Sequence, residues 1–232
     1  MKRINQRSFD LPKEETDFGN AGSVVPVIDI EKADELISNI TRFVWAKQAI
    51  VNLGHCCICC YRLLDIGMND GAFSAAMMQR NCNPNDPTSS KIIVDGIEAD
   101  ASAFKSVSAL AEKAKEGGYS LNVHNIMFED FKSPVKYDVI VAFEVLEHVK
   151  DPLFCVEKIY DMLEIGGHFI MSVPEQDGPF GIHDKNKYHM WTATTQSVMF
   201  TLFHSDQKWK IITVFENNGI LHFMVRKMVP RL

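Results

Sequence analysis

Apolar residues recur at two spacings along this chain, and the switching between them is its first structural signal. From about Asp29 to Leu53 the residues Ala33, Leu36, Ile37, Ile40, Phe43 and Val44 fall three and four positions apart, which predicts one or two helices. Short apolar runs bounded by turn residues then begin. Arg62–Gly67, Lys91–Glu98, Leu121–Asn125, Tyr137–Phe143 and Gly167–Val173 read as buried strands. Helical patterns separate most of them, at Phe73–Arg80, Ala101–Glu116, Pro152–Leu163 and Thr194–Phe203. Strands alternating with helices predict a mostly parallel sheet with helices on both faces.

The last two apolar runs break that alternation. Trp209–Phe215 and Leu221–Lys227 are joined by Glu216-Asn217-Asn218-Gly219, and Asn-Gly is a strong two-residue hairpin signal, so these strands should pair antiparallel. The expected fold is therefore α/β: a Rossmann-like, seven-stranded, mostly parallel sheet closed by a C-terminal antiparallel hairpin. Residues 1–25 are polar and without period, which predicts a flexible arm or a lid ahead of one domain over residues 26–232. The Asn/Pro/Ser-rich stretch Asn81–Ser90 reads as a surface loop.

Composition narrows the function classes. Forty-six per cent of the 232 residues are hydrophobic, enough for a full core, and the formal charge of -6 gives no support to a broad basic surface for duplex nucleic acid. No apolar stretch follows the basic start Met1–Arg7, and no run of roughly 18 apolar residues appears, so neither a secretory signal nor a membrane span is expected. Four of the six cysteines lie together at Cys56, Cys57, Cys59 and Cys60. Their C-x-x-C spacings suggest a metal or redox site. Neighbouring side chains on an extended chain point to opposite faces, however, which favours reduced thiols leading into a strand and a cytoplasmic location.

The chemistry starts at the first strand–helix turn, Asp65-Ile66-Gly67-Met68-Asn69-Asp70-Gly71. Open α/β sheets bind ligands beyond the carboxyl ends of their strands, where this turn falls. Gly67 and Gly71 let the backbone turn tightly and approach a ligand, and Asn69 is the non-glycine residue type that best tolerates a left-handed conformation. Glu98 closes the second strand, where a carboxylate can accept hydrogen bonds from both ribose hydroxyls. A structural turn and a solvated strand-end acid are the plain alternatives, and the conjunction favours a nucleoside site.

At these residues the sequence resembles the class I S-adenosylmethionine-dependent methyltransferases. The turn is similar to their first motif, with Asn69 in place of a middle glycine. Tyr137-Asp138-Val139-Ile140-Val141-Ala142-Phe143-Glu144-Val145-Leu146-Glu147-His148-Val149-Lys150-Asp151-Pro152 resembles the fourth-strand motif of the small-molecule branch, and Leu163-Glu164-Ile165-Gly166-Gly167-His168-Phe169-Ile170-Met171-Ser172-Val173-Pro174 its following helix–turn–strand. The resemblance covers roughly residues 40–228 and extends to the terminal hairpin. It implies that Asp65, Gly67, Met68, Asn69 and Gly71 hold the methionine part of the cofactor, and that Glu98 holds the ribose, with Ala99 in the same cofactor-binding set. Asn125 would meet the adenine amino group through its amide oxygen, Ile126 would pack on the ring, and Phe143 and Glu144 would lie under the cofactor.

Glu144, Glu147 and His148 form an E-x-x-E-H cluster, and in a helix positions 144 and 148 share a face. Two carboxylates and an imidazole suit Mg2+, Mn2+ or Zn2+. His183 and His189 follow in a loop that ends His189-Met190-Trp191-Thr192. This pattern resembles two metal-using branches, the ubiquinone-pathway O-methyltransferases and the small-RNA 2′-O-methyltransferases. Glu144, Glu147, His148 and His189 are thus candidate ligands of a divalent metal, and His148, Glu147 and His189 candidate catalytic groups. His148 acting alone as a base, or Glu147-His148 merely capping a turn, are the readings without metal. Phe180 and Trp191 suit stacking on a flat acceptor or packing on the domain.

A small-molecule O- or N-methyltransferase is therefore the leading expectation. RNA 2′-O-methylation is second, lowered by the acidic charge. An NAD-dependent oxidoreductase is weakened by the missing G-x-G-x-x-G, and a non-catalytic cofactor-binding subunit by the intact Gly67, Glu98 and Glu144.

Overall fold

A computed structural model describes residues 27–53, 60–79, 91–177, 188–203 and 208–229. The expected N-terminal arm, Cys56, Cys57 and Cys59, the Asn81–Ser90 loop, Phe180 and His183 lie outside the described residues. Seven strands form one mixed, mostly parallel sheet, and the chain divides into two compact units on either side of residues 132 and 133.

In the first unit, α1 (Ala33–Ile37) and α2 (Thr41–Asn52) precede β1 (Cys60–Ile66), α3 (Ala72–Gln79), β2 (Lys91–Ile97), α4 (Ala101–Glu116) and β3 (Ser120–His124). β1, β2 and β3 are parallel, in spatial order β3-β2-β1, with Leu64 opposite Asp95 and Val94 opposite Leu121. Leu63, Leu64, Val94 and Val107 are fully buried, as are Ala75 and Met78 of α3. Burial of both neighbouring parities explains why β1 reads as a continuous apolar run rather than an alternating one. Helix α4 starts where the Asp100 carboxylate accepts the N–H groups of Ser102 and Ala103, an N-cap worth about 1 kcal/mol.

In the second unit, β4 (Tyr137–Phe143), α5 (Pro152–Met162), β5 (Leu163–Pro174), α6 (Thr195–Thr201), β6 (Trp209–Asn217) and β7 (Ile220–Lys227) follow in order. β4 and β5 are parallel, and β7 runs antiparallel to both β5 and β6. The hairpin turn is the expected one: Asn218 and Gly219 both adopt left-handed backbone, at φ 53° and 77°. Strand β5 begins earlier than the Gly166-Gly167 pair suggested, because Leu163 already pairs with Tyr137 and Gly166 turns inside the strand at φ 82°. Phe169, Phe203, Trp209 and Phe223 pack their rings together in the core, with Phe203 5.8 Å from Trp209 and 6.0 Å from Phe223.

Candidate functional site

The turn that follows β1 leaves the strand through three left-handed residues, Gly67 at φ 68°, Asn69 at 51° and Gly71 at 79°. Each follows from its side chain or the lack of one. A Cβ on Gly71 would stand 2.6 Å from Leu110 and 3.3 Å from Val107, so helix α4 reaches the turn only because residue 71 has none. Asn69 is exposed, so its unusual backbone serves the turn rather than the core. The N–H groups of Gly67 and Met68 both donate to Ile97 O, at 2.9 and 3.1 Å, which ties the turn to the end of β2.

Glu98 completes that tie. Its Oε2 accepts the Asn69 N–H at 2.7 Å and its Oε1 the Asp100 N–H at 2.8 Å. One buried carboxylate thus clasps the turn and the start of α4 together. Each oxygen retains acceptor capacity for a ligand hydroxyl. Burial pushes the Glu98 carboxyl above its usual range, against the backbone N–H bonds from Asp100, Asn69 and Ala99 that pull it down. Asp65, behind the turn, accepts from Ser74 Oγ at 2.7 Å. Burial first, then repulsion from Glu98 and Asp70, raises it to about 7 despite the Ser74 bond. The acids at this turn are therefore held at an electrostatic cost that a cationic ligand would relieve.

The remaining first-unit residues arrange around Glu98. Asn125, just past β3, donates through Nδ2 to Glu98 O at 2.8 Å and Ala99 O at 3.3 Å, which turns its amide oxygen outward as an acceptor. Ala99 and Ile126 are half-buried beside it. Met68 is buried at the turn. Its side chain is buried over β2, so close that a Cβ on Gly96 would lie 2.1 Å from its sulfur. Gly96 and the N-cap Asp100 were missed in the sequence, although a glycine inside a strand signals a close approach and an acid before an apolar helix signals a cap.

In the second unit, Glu147, His148 and His189 come together. One ligand atom from each lies within 4.8 Å of the others, and the two imidazole rings are 5.0 Å apart at 58°. Glu147 is buried, and its carbonyl accepts the Met190 N–H at 2.7 Å, so backbone pairing brings the histidine-bearing segment to the carboxylate. His148 Nδ1 lies 3.1 Å from Tyr188 O, which makes Nδ1 the protonated nitrogen and leaves Nε2 with the lone pair. Burial lowers His148 to about 4, outweighing the Tyr188 bond, so its imidazole is neutral at physiological pH. Nothing local in the sequence marked Tyr188, because it acts through its carbonyl.

The atoms that lie within 4.8 Å of one another come from Glu147, His148 and His189, and Glu144 is the fourth candidate. The chain after β4 does not continue as an α-helix: Glu144 is left-handed at φ 55°, and a 3-10 helix covers only Leu146–His148. Residues 144 and 148 therefore do not share a helical face. Glu144 instead accepts from Ser172 Oγ at 2.5 Å, while its own N–H donates to Ser172 O at 3.1 Å. Phe143 ends β4 buried. Trp191 is also buried, so it packs in the domain.

A family model described as a methyltransferase domain matches residues 29–227. Among curated proteins, the ubiquinone biosynthesis O-methyltransferase of Pseudomonas savastanoi pv. phaseolicola is 32% identical over 113 residues, covering 48% of this chain and 43% of that protein. The chain thus spans less than half the length of that curated relative. Among solved structures, the N-methyltransferase NodS of Bradyrhizobium japonicum WM9 in complex with S-adenosyl-L-homocysteine is similar with a TM-score of 0.56 at 14% identity, covering 83% of this chain and 90% of that one. The 1,6-didemethyltoxoflavin-N1-methyltransferase of Burkholderia thailandensis reaches a TM-score of 0.62 at 15% identity, covering 86% and 84%.

Proposed function

The chain belongs to the methyltransferase-domain family, and from that premise we propose that it moves the methyl group of S-adenosylmethionine to an oxygen or nitrogen of a small-molecule acceptor. The observation that carries this reading is the left-handed Gly67–Gly71 turn clasped by Glu98. Backbone N–H groups and glycine surface at the turn suit the methionine end of the donor. Its ammonium and sulfonium charges suit the strained acids Asp65 and Glu98. Glu98 would take the ribose hydroxyls, Asn125 Oδ1 the adenine amino group, and Ala99 and Ile126 the ring's surroundings. The curated relative is named for O-methylation and the structural neighbours for N-methylation, which supports both acceptor atoms. We read residues 26–232 as one catalytic domain in the cytoplasm. No helix of the described residues is long and apolar enough to cross a membrane.

The donor supplies an already activated methyl group, which leaves through its bond to sulfur as the acceptor's lone pair forms the new bond. The protein's work is alignment and disposal of the acceptor's proton. Glu147, His148 and His189 fit a divalent metal: two imidazoles and a carboxylate converge, and Tyr188 O orients His148 so that Nε2 is presented. Bound there, such an ion would lower the pKa of an acceptor hydroxyl. A base with a pKa of about 4 has little drive to take a proton at neutral pH, which favours His148 as a ligand over His148 as the base.

The test is a turnover assay for S-adenosylhomocysteine with phenolic, carboxylate and amine acceptors. We expect His148→Ala to lower turnover by roughly 10²–10⁴-fold while donor affinity changes little. A chelator should reproduce that loss, and added metal should reverse it. Chelation without effect, combined with a lost His148→Ala activity, would transfer the role to the imidazole alone. Full activity in His148→Ala would leave alignment as the whole mechanism.

A further inference from the structure

Arg226 of β7 and Lys210 of β6 stand directly opposite each other, so their side chains share one face of the sheet. Like charges in that position destabilise a strand pair. Both residues are exposed, and among the described residues no ion pair joins either to a carboxylate. We propose that the two form a binding site for a phosphate monoester on the terminal hairpin. This goes beyond the methyl-transfer reading and does not depend on it.

Arg226 is already held as a donor. Its Nε–H donates to Gly166 O at 3.1 Å, and a Cβ on Gly166 would lie 3.0 Å from Nη2, so the guanidinium rests against a turn that glycine leaves open. One of the five guanidinium N–H groups is used, and the others have no acceptor among the described residues. The neighbours on that face supply no acid: they are His168 and Ile170 of β5 and Met224 of β7. Glu164 lies in the same turn as Gly166, but its charge acts on Lys227. The Lys227 side chain leaves the opposite face of β7 and donates to Tyr160 O and Leu163 O. A lysine that deters pairing at a sheet edge would explain Lys210 alone. It does not explain Arg226, which stands on the inner strand. The whole chain carries a formal charge of -6, so the pair is no part of a general basic excess. Two adjacent cations are balanced by one dianion. A phosphate monoester carries about −1.5 to −2 at neutral pH and three terminal oxygens, which suits a guanidinium fork beside an ammonium. A single carboxylate would leave one cation unbalanced. The site is also separate from the chemistry. Arg226 pairs with His168, whereas the E-x-x-E-H segment follows Phe143, which pairs with Ser172. Four strand positions, about 13 Å, separate those two rows.

The experiment titrates the full chain with phenyl phosphate at low ionic strength, followed by phosphorus NMR and Tm, with benzoate as the monoanion control. Phenyl phosphate should bind at least about tenfold more tightly than benzoate. Arg226→Gln should weaken it about tenfold or more, and Lys210→Gln about threefold or more. Arg226→Lys keeps the charge and loses the fork, so it should stay at least about threefold weaker than wild type. Lys105→Gln, at an exposed position of α4, should change the affinity by less than about 1.5-fold. The ligand should raise the Tm of wild type and not that of Arg226→Gln. S-adenosylhomocysteine affinity and turnover should stay within about twofold of wild type in the Arg226 and Lys210 variants, since neither residue lies at the donor turn or in the Glu147–His148–His189 group. Vesicles of phosphatidylcholine with and without phosphatidic acid identify the source of the phosphate. Binding to the phosphatidic acid vesicles that is lost in Arg226→Gln assigns the site to a lipid headgroup, and binding of phenyl phosphate alone assigns it to a soluble ligand. A wild-type Kd for phenyl phosphate weaker than about 20 mM, an equal loss in Lys105→Gln, or full affinity in Arg226→Gln overturns the inference.

Discussion

Asn69 shows how much one side chain type carries. A β-branched residue at φ 51° is strained, whereas asparagine and glycine are not. Asn69→Gly should therefore leave stability within a few tenths of a kcal/mol, and Asn69→Val should cost about 1–3 kcal/mol in denaturant unfolding. Because Asn69 donates its N–H to Glu98, the valine variant should also weaken donor binding, and equal affinities would separate the turn from the site. Asp65 makes a pH prediction. Its carboxyl is raised to about 7 in the folded chain, so the folded state binds the proton more tightly than the unfolded state. That contribution to stability is complete below about pH 4, the unfolded range, and is lost as pH rises through about 7. Asp65→Asn should match wild type at pH 4 and exceed it increasingly up to pH 8, with a ceiling of about 4 kcal/mol. A difference that does not vary with pH in paired thermal unfolding series would show that Asp65 is not held protonated. The left-handed asparagine was legible in the sequence. The left-handed glutamate at 144 was not, since no propensity favours it, and its bonds to Ser172 come from a residue 28 positions away.

At the level of elements, cap and site share residues. Asp100 caps α4 through its carboxylate and donates its N–H to Glu98, so the helix start and the clasp are one structure. Asp100→Ala removes the cap but keeps the N–H. It should cost about 1 kcal/mol in stability and leave the Glu98 clasp formed, with donor affinity reduced less than twofold. A larger loss of affinity than of stability would mean that the cap itself sets the position of Glu98. Elements with strong local signals were read correctly: α4 by its period, the terminal hairpin by Asn218-Gly219, β1 and β4 by their apolar runs. The segment after β4 was left open by the sequence, because helical spacing is compatible with E-x-x-E-H, and the chain forms only a 3-10 turn there. The backbone bond from Met190 to Glu147, 43 positions away in sequence, helps hold that turn, and no local pattern encodes it.

For the molecule as a whole, the donor should act as a stabiliser. At about 100 times its Kd, a ligand that binds only the folded state adds about 2.7 kcal/mol, which S-adenosylhomocysteine should deliver as a clear rise in Tm and NAD should not. Gly67→Val should abolish that rise while leaving the unliganded fold largely intact, because a β-branched side chain at φ 68° fills the surface the donor approaches. A normal rise in Gly67→Val would put the donor elsewhere. The sequence by itself determined the α/β class, the order of seven strands and the reversed hairpin, because hydrophobic period and turn chemistry act over a few residues. It also marked Gly67, Asn69, Gly71 and Glu98, whose types are tied to backbone geometry and strand position. Only the tertiary structure decided that Met68 turns inward over Gly96, that His189 meets His148, and that Glu144 accepts a hydrogen bond from Ser172. Those pairings join residues from 28 to 41 positions apart, and their outcome depends on strand register and burial, which sequence spacing does not encode.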